Sequence, residues 1–334
     1  MTIDLPLVWA VIIAFGVFMY VVMDGFDLGI GILFPFFRAE EDRDTMMNTV
    51  APVWDGNETW LVLGGTALFA AFPLAYATIL PALYLPLIVM LIGLIFRGVA
   101  FEFRFKAERF RAIWDWAFVG GSVFATFVQG AALGAFIQGF HVEGRSFAGG
   151  AFDWLTPFAV FTGIALLAGY AALGCAWLIL KTEGELQERA WRLMIPLGIA
   201  LLAAVAIVSI WTPLEHAEIA ARWFTWPNML YLSPVPLAVA LIAVLLWRAV
   251  ARHHDRAPFP LALGLFLLGY LGLGISLWPN VIPPRISIWD AASPPETQGF
   301  LLIGTAFLIP IILGYTAYSY RVFRGKVGRG GYHR

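Results

Sequence analysis

The sequence is poor in the side chains that usually carry redox or hydrolytic chemistry. Its single cysteine, Cys175, excludes an internal disulfide framework, and its place in a hydrophobic run predicts a small buried apolar side chain. Membrane proteins usually hold haem or copper through histidines on their spans. The five histidines here lie outside the long apolar runs, at His141, His216, His253, His254 and His333. The chain also has no Walker, dinucleotide or triad motif, so we do not expect redox chemistry on its own residues.

Charge is scarce as well. Only 13% of the 334 residues are charged and 60% are hydrophobic, whereas about a quarter of the residues in soluble domains are charged. This composition predicts a polytopic membrane protein, and the formal net charge of -1 gives no reason to expect a nucleic-acid partner. The opening MTIDLPLVWA lacks the basic region and cleavage site of a signal peptide, so the first apolar run is expected to remain as a span.

The apolar runs predict an all-α protein that forms one integral membrane domain over residues 1–334. A bilayer core needs about 20 apolar residues per helix. By that measure nine spans are predicted, at about 7–37, 54–72, 75–104, 113–140, 155–180, 193–212, 235–252, 258–278 and 298–322. The long loop 213–234 is expected to contain a short amphipathic helix at the membrane surface.

Lysine and arginine decide the predicted orientation, because they collect in loops on the cytoplasmic side. Most of the 21 basic residues fall on one side of the predicted spans. They are Arg38, Arg43, Arg104, Lys106, Arg109, Arg111, Lys181, Arg189, Arg192, Arg248, Arg252, Arg256, Arg321, Arg324, Lys326, Arg329 and Arg334. The amino terminus is therefore predicted outside and the carboxyl terminus in the cytoplasm.

The spans contain charges that are costly to bury. A charge at mid-bilayer costs roughly 2.5–3.5 kcal/mol even on the lenient scale. Asp24 and Asp27 lie three residues apart in the first span and share one helix face. The segment VWDGNETW opens the second span, and FRGVAFEFRFK, with Arg97 and Glu102, closes the third. Because successive spans alternate in direction, these residues are predicted at one level in the inner half of the membrane.

Several of these charges have a structural interpretation beside the functional one. Asp55 and Glu58 have the spacing of a helix capping box. Arg97 and Glu102 can serve as ion-pair partners for the buried acids. For Asp24 and Asp27 there is no such alternative, and acids in spans usually mark an ion or proton path.

Two functional classes remain from the residues alone. One is an integral subunit of a proton-handling enzyme, and the other is a proton- or sodium-coupled transporter. Transporters tend to place charged sites near the midplane, on broken helices of two repeats. Here the charges crowd towards one side in the first third of the chain, which favours the subunit. The motifs Gly25-x-x-x-Gly29 and Gly130-x-x-x-Gly134 are predicted to be helix-packing faces.

Several long motifs in order resemble subunit 2 of the cytochrome bd quinol oxidases. They are MDGFDLGIG at 23–31, APVWDGNETWLVLGG at 51–65, ALFAAFPLAYA at 67–77, FRGVAFEFR at 96–104, WDW at 114–116, SLWPNVIPP at 276–284, SIWDAASPP at 287–295 and the final YTAYSYRVF. The resemblance covers the whole chain, and the WDGNETW form is most similar to the cyanide-insensitive branch.

The resemblance implies a multi-pass subunit in the bacterial inner membrane, built from two four-helix bundles and one peripheral helix. The complex would oxidise quinol and reduce dioxygen to water without pumping protons. Haem b and haem d would be bound by the partner, subunit 1, and not by this chain. Some members also hold a structural quinone or lipid, and a small single-span third subunit is a further expected partner.

The resemblance also implies which residues take part in proton transfer. Acidic positions of the family's cytoplasmic proton path match Asp27, Asp55 and Glu102 here, although some relatives carry aspartate where Glu102 stands. Supporting roles are assigned to Asp24, Trp54, Glu58 and Arg97. An arginine beside a relay acid stabilises the ionised form of that acid.

Overall fold

The computed structural model describes residues 3–107 and 109–328. Within them the chain is a series of helices with two short hairpins. The helices are α1 (Leu5–Leu33), α2 (Glu40–Val50), α3 (Trp54–Ala71), α4 (Pro73–Phe103), α5 (Arg111–Gln138), α6 (Pro157–Lys181), α7 (Gly184–Glu215), α8 (Ala217–Phe224), α9 (Asn228–Leu232), α10 (Pro234–Ala251), α11 (Pro258–Leu277), α12 (Ile288–Ala291) and α13 (Pro295–Val322). The antiparallel hairpins pair β1 (Val142–Glu143) with β2 (Ser146–Phe147) and β3 (Asn280–Ile282) with β4 (Ile286–Ser287).

Local sequence explains where the long helices begin. Five of them start at a proline, whose fixed φ suits the first helical turn and whose missing N–H would have no partner there; these prolines are Pro73, Pro157, Pro234, Pro258 and Pro295. Side chains cap two of the starts. The Asp4 carboxylate accepts from the Leu7 N–H at 3.1 Å, and the Thr156 hydroxyl accepts from the Ala159 N–H at 3.0 Å.

The predicted fold class is confirmed: within the described residues, eight helices are long and apolar enough to cross a membrane. The helix α3 coincides with the predicted span 54–72 but is not one of the eight, because its first turns carry Asp55, Asn57 and Glu58. The count of nine spans and the orientation therefore stay predictions. Arg329, His333 and Arg334 lie outside the described residues.

The long helices pack in two groups of four. In the first group α1, α3, α4 and α5 contact one another in a ring, and in the second α6 packs with α7 and α11, which α10 joins. The groups meet through α6, which lies against both α1 and α5, while α13 lies to one side against α1 and α3. This arrangement agrees with two four-helix bundles and one peripheral helix.

Glycines allow the closest helix approaches, as predicted. A Cβ at Gly25 would lie 2.7 Å from the Tyr170 ring, and one at Gly29 would overlap the Tyr170 carbonyl. On the other side of α6, a Cβ at Gly130 would lie 2.7 Å from the Gly163 Cα. Small residues of this kind let helix backbones approach in a membrane, so they hold α6 against α1 and α5.

Two segments that the hydrophobic pattern treats as loops are helical. The segment after Arg38 forms α2, whose second half is buried with Met46, Met47 and Val50 in the main core. In the long loop 213–234, a short amphipathic helix is present as predicted, α8, and its location at the membrane surface stays a prediction. It buries Ile219, and Arg222 donates to the Ile275 carbonyl at 2.6 Å.

We expect Gly29→Ala to lower stability by about 1–3 kcal/mol, because the added methyl meets backbone that cannot move aside easily. The matched control is Gly16→Ala on the same helix, where a Cβ would lie 3.7 Å from Leu63 in ordinary contact. The measurement is the thermal midpoint of the purified protein in detergent. Equal midpoints for the two variants would contradict the proposed close contact of α1 with α6.

Candidate functional site

A buried ion pair joins the first three long helices. Arg97 on α4 donates from Nη1 to Asp24 Oδ1 on α1 at 2.6 Å, and the two side chains are 0% and 1% exposed. Glu58 on α3 adds a second carboxylate, with Oε1 3.5 Å from the same nitrogen. The rings of Trp54 and Phe101 stack 4.9 Å apart, each 5.9 Å from the guanidinium carbon. The supporting residues named from the sequence thus surround one guanidinium.

Asp27 lies beside this pair without an arginine of its own. It is fully buried, and Asn57 Nδ2 donates to its Oδ2 at 2.7 Å. The amide is held from its other end by Tyr320 on α13, whose hydroxyl donates to Asn57 Oδ1 at 3.0 Å. The second oxygen, Asp27 Oδ1, has no hydrogen-bond partner among the described residues. One oxygen of Asp27 is therefore fixed and the other is available.

A small cavity lies next to this amide. Its volume is about 10 Å³, which is near the minimum for one water molecule, and it separates the start of α3 from the end of α13. Gly56, Asn57, Ser319 and Tyr320 contribute to its lining. Neither Asn57 nor Tyr320 was predicted from the sequence. The only available signal was the amide of Asn57 within the acidic WDGNETW segment.

The capping-box interpretation of Asp55 and Glu58 is wrong. The helix α3 already begins at Trp54, its N-cap is Val53, and no side chain caps it. Asp55 instead lies exposed in the first turn, where a negative charge is favourable near the helix N-terminus. Glu58 turns inward to Arg97.

Glu102 does not pair within the buried charges, so its interpretation as their ion-pair partner is wrong. Its carboxylate pairs with Lys106 one turn later at 3.2 Å, and both side chains are exposed, Glu102 by 68%. The structure thus brings together Asp24, Asp27, Glu58 and Arg97 and leaves Asp55 and Glu102 on the outer surface of the bundle. The reason is helix rotation, since Glu102 lies on the face of α4 that points away from α1.

A second cluster of charged residues lies at the end of the first bundle where α4 ends and α5 begins. It was not predicted from the sequence. Arg104 is fully buried and donates to both Asp44 and Asp115 at 2.5 Å. Asp115 also accepts from Arg43 at 2.8 Å, and Asp44 accepts from Arg111 at 2.5 Å. Each arginine has a carboxylate, so the cluster ties α2, α4 and α5 together. It lies at the end of the bundle that the arginine pattern assigns to the cytoplasm.

The described part of the chain places no histidine on a membrane-crossing helix, where haem ligands of membrane proteins usually lie. His141, His216, His253 and His254 all lie outside the membrane-crossing helices, as predicted. Among the described residues, no group of three or more His, Cys, Asp or Glu side chains could hold a metal ion. Cys175 is buried and donates to the Ala190 carbonyl at 2.9 Å.

Comparison with known proteins decides between the two functional classes. The family model described as cytochrome bd terminal oxidase subunit II matches residues 5–323. The chain belongs to this family. It is thus subunit 2 of a cytochrome bd oxidase, a multi-pass protein of the bacterial inner membrane whose complex includes a subunit 1 and haem. The transporter alternative is not favoured, and membership in the cyanide-insensitive branch stays a prediction.

Curated relatives match nearly the full length. Cytochrome bd-I ubiquinol oxidase subunit 2 of Escherichia coli K12 is 29% identical over 360 residues, which is 97% of this chain and 95% of that protein. The probable cytochrome oxidase subunit 2 of Haemophilus influenzae is 30% identical over 361 residues, with the same coverage. The bd oxidase structure from Geobacillus thermodenitrificans matches with a TM-score of 0.77 over 96% of this chain and 99% of that chain. At 15% identity that match shows the fold.

Breaking the buried ion pair from one side is expected to destabilise the chain more than removing both charges. Arg97→Met leaves the Asp24 carboxylate buried without its partner, at a cost of about 3–5 kcal/mol. The double variant Asp24→Asn/Arg97→Met is expected to recover most of that loss. Thermal midpoints of the purified complexes measure both effects.

The control for the ion-pair experiment is Lys106→Met, which removes an exposed pair worth about 0–1 kcal/mol. A double variant as unstable as Arg97→Met would show that shape, and not charge pairing, governs this site.

Proposed function

We propose that this chain carries protons from the cytoplasm towards the oxygen-reducing site of a quinol-oxidising cytochrome bd complex, with Asp27, Asp55 and Glu102 as relay acids. The observation that carries the proposal is the buried Asp27 carboxylate, which has one oxygen fixed by Asn57 and the other without a partner among the described residues. Reduction of dioxygen to water consumes protons, and a carboxylate in a low-dielectric interior can accept and release them.

The two buried aspartates have different roles in this proposal. Asp24 is held in a direct ion pair with Arg97, which compensates its charge. Asp27 receives a hydrogen bond from a neutral amide, which leaves its charge free to change. The proton therefore occupies Asp27 Oδ1, and Asp24 and Arg97 supply a constant field beside it.

The exposed positions of Asp55 and Glu102 support a role at a subunit boundary. The exposed stripe of α3 consists of Asp55, Thr59, Val62, Gly65, Thr66 and Phe69. A carboxylate such as Asp55 is costly on a lipid-facing helix, whereas helix interfaces in membranes are rich in small and polar residues.

The peripheral helix α13 differs from that stripe in lacking an exposed carboxylate within its apolar part. Beside Gly304 and Gly314, its exposed face carries the large apolar side chains Phe300, Ile303, Phe307 and Ile311. We infer that subunit 1 packs against the α3 stripe and that α13 faces lipid. Asp55 and Glu102 would then meet the partner at the membrane's inner side, where they can pass protons through intervening water.

The haems belong to subunit 1 in this proposal. The histidines of this chain in the described residues lie in loops, so this subunit supplies none of the usual axial ligands from its spans. A structural quinone or lipid in this chain and a small single-span third subunit remain predictions. Lipid extraction and mass spectrometry of the purified complex test both.

Replacing Asp27 by Asn is expected to slow quinol-driven oxygen consumption by about tenfold or more, because an amide cannot carry the proton. Haem spectra are recorded on the same preparation, since loss of the haem d band would report failed assembly. The control is Glu143→Gln in the exposed β1 strand. Wild-type turnover together with wild-type spectra in Asp27→Asn would rule out the relay.

The surface acids are tested by paired substitutions. Since Asp55 does not cap α3, both Asp55→Asn and Asp55→Ser are expected to slow oxygen consumption, although serine is a good helix cap. Glu102→Asp is expected to retain turnover and Glu102→Gln to lose it, because either carboxylate can relay a proton. If Asp55→Ser or Glu102→Gln leaves the rate unchanged, that residue is not on the path.

A further inference from the structure

Two buried hydroxyls on α5 have no use within their own helix. Ser122 and Thr126 are fully buried, and neither hydroxyl has a hydrogen-bond partner in the part of the chain that the structure describes. Serine and threonine inside helices commonly bond to a carbonyl in the preceding turn. Thr78 and Thr162 of this chain do so, at 2.9 Å to Leu74 and 2.8 Å to Ala159. The two hydroxyls of α5 are exceptions to this pattern. Each therefore needs a hydrogen-bond partner other than the described protein groups.

The contacts between α1 and α5 place these hydroxyls opposite the aspartates. Gly31 on α1 packs against Ser122, since a Cβ there would lie 2.5 Å from the Ser122 Cβ. Further along, Gln129 on α5 donates to the Tyr20 hydroxyl on α1 at 2.7 Å. The helices are thus antiparallel. Asp27 lies four residues before Gly31 and Thr126 lies four after Ser122, so both lie about 6 Å from that contact, at one level.

Together these residues form a polar seam, which we define as Tyr20, Asp24 and Asp27 of α1 with Ser122, Thr126 and Gln129 of α5. The spacings of four and three residues put each set of three on one helix face.

Both aspartates bring an oxygen without a protein partner among the described residues, Asp24 Oδ2 and Asp27 Oδ1. At the outer end Gln129 is fixed by Tyr170, whose hydroxyl donates to Gln129 Oε1 at 3.0 Å. Since Gln129 donates to the Tyr20 oxygen, the Tyr20 proton remains available to donate.

We propose that the polar seam binds a short file of water molecules that connects Asp27 Oδ1 through Thr126 to the Tyr20 hydroxyl and extends the proton route past Asp27. Water and hydroxyl groups each accept one proton while releasing another, so the file can pass a proton with no net change in any member. Buried waters typically make about three hydrogen bonds to otherwise unsatisfied polar groups. The transport role rests on the proposed function, whereas the binding of water rests on the seam itself.

The Thr126→Val substitution distinguishes a seam that holds water from a seam that does not. If the Thr126 hydroxyl has no water, Thr126→Val removes an unsatisfied polar group at constant shape and is neutral or stabilising. If it holds a water, the same change removes a hydrogen-bonding position from the file. The matched control is Thr162→Val on α6, a buried threonine whose hydroxyl bonds within its own helix.

The decisive experiment combines a high-resolution cryo-electron microscopy map with turnover measurements on the purified complex. The map is expected to show ordered water within hydrogen-bond distance of Thr126 Oγ1 and Asp27 Oδ1, and the Thr126→Val map is expected to lose it. Thr126→Val is expected to slow oxygen consumption by about tenfold, with unchanged haem content and a larger solvent deuterium isotope effect. Thr162→Val is expected to match the wild type.

Each result decides a separate point. A map without water in the seam, or a Thr126→Val complex with a raised thermal midpoint and full turnover, overturns the inference. Water in the seam with full turnover of Thr126→Val overturns the transport role. If Asp27→Asn turns over at the wild-type rate, the proposed function fails, and the maps still decide whether the seam is hydrated.

Discussion

A guanidinium and a carboxylate buried together inside a membrane bundle restrict the first half of this molecule to one arrangement. An ion without a partner is so costly in a low-dielectric interior that α1, α3 and α4 can pack only where Asp24 and Glu58 reach Arg97. The stacked rings of Trp54 and Phe101 then exclude water from one side of the guanidinium. With those three helices fixed, Asn57 is brought to Asp27.

Hydrophobic length predicted the long helices well, because a span has to be about 20 apolar residues long whatever it packs against. The glycine contacts and the buried role of Asp24 followed from similarly local rules. The rotation of each helix about its axis was not predictable. These helices are apolar nearly all round, so periodicity does not reveal which face turns inward. That rotation puts Glu102 outside and joins Gln129 to Tyr20 and Tyr170.

Inexact helix boundaries explain the two remaining errors, the capping role given to Asp55 and the missed helix α2. The capping interpretation of Asp55 failed because α3 starts two residues earlier than the capping motif suggests, and such boundaries vary by a residue or two. The helix α2 was missed because its first turn is acidic and its buried half is too short to read as a span. Membership in the family then decided what the residues alone had left open, the choice between an oxidase subunit and a transporter.

The polar outer stripe of α3 has a consequence for how the cell makes this protein. A copy that inserts without its companion would present the Asp55 carboxylate to acyl chains, which solvate it poorly. Such a copy would be less stable in the bilayer and easier for a membrane protease to extract and degrade. In the proposed packing, subunit 1 covers this carboxylate, so assembly of the complex would stabilise the subunit in the bilayer.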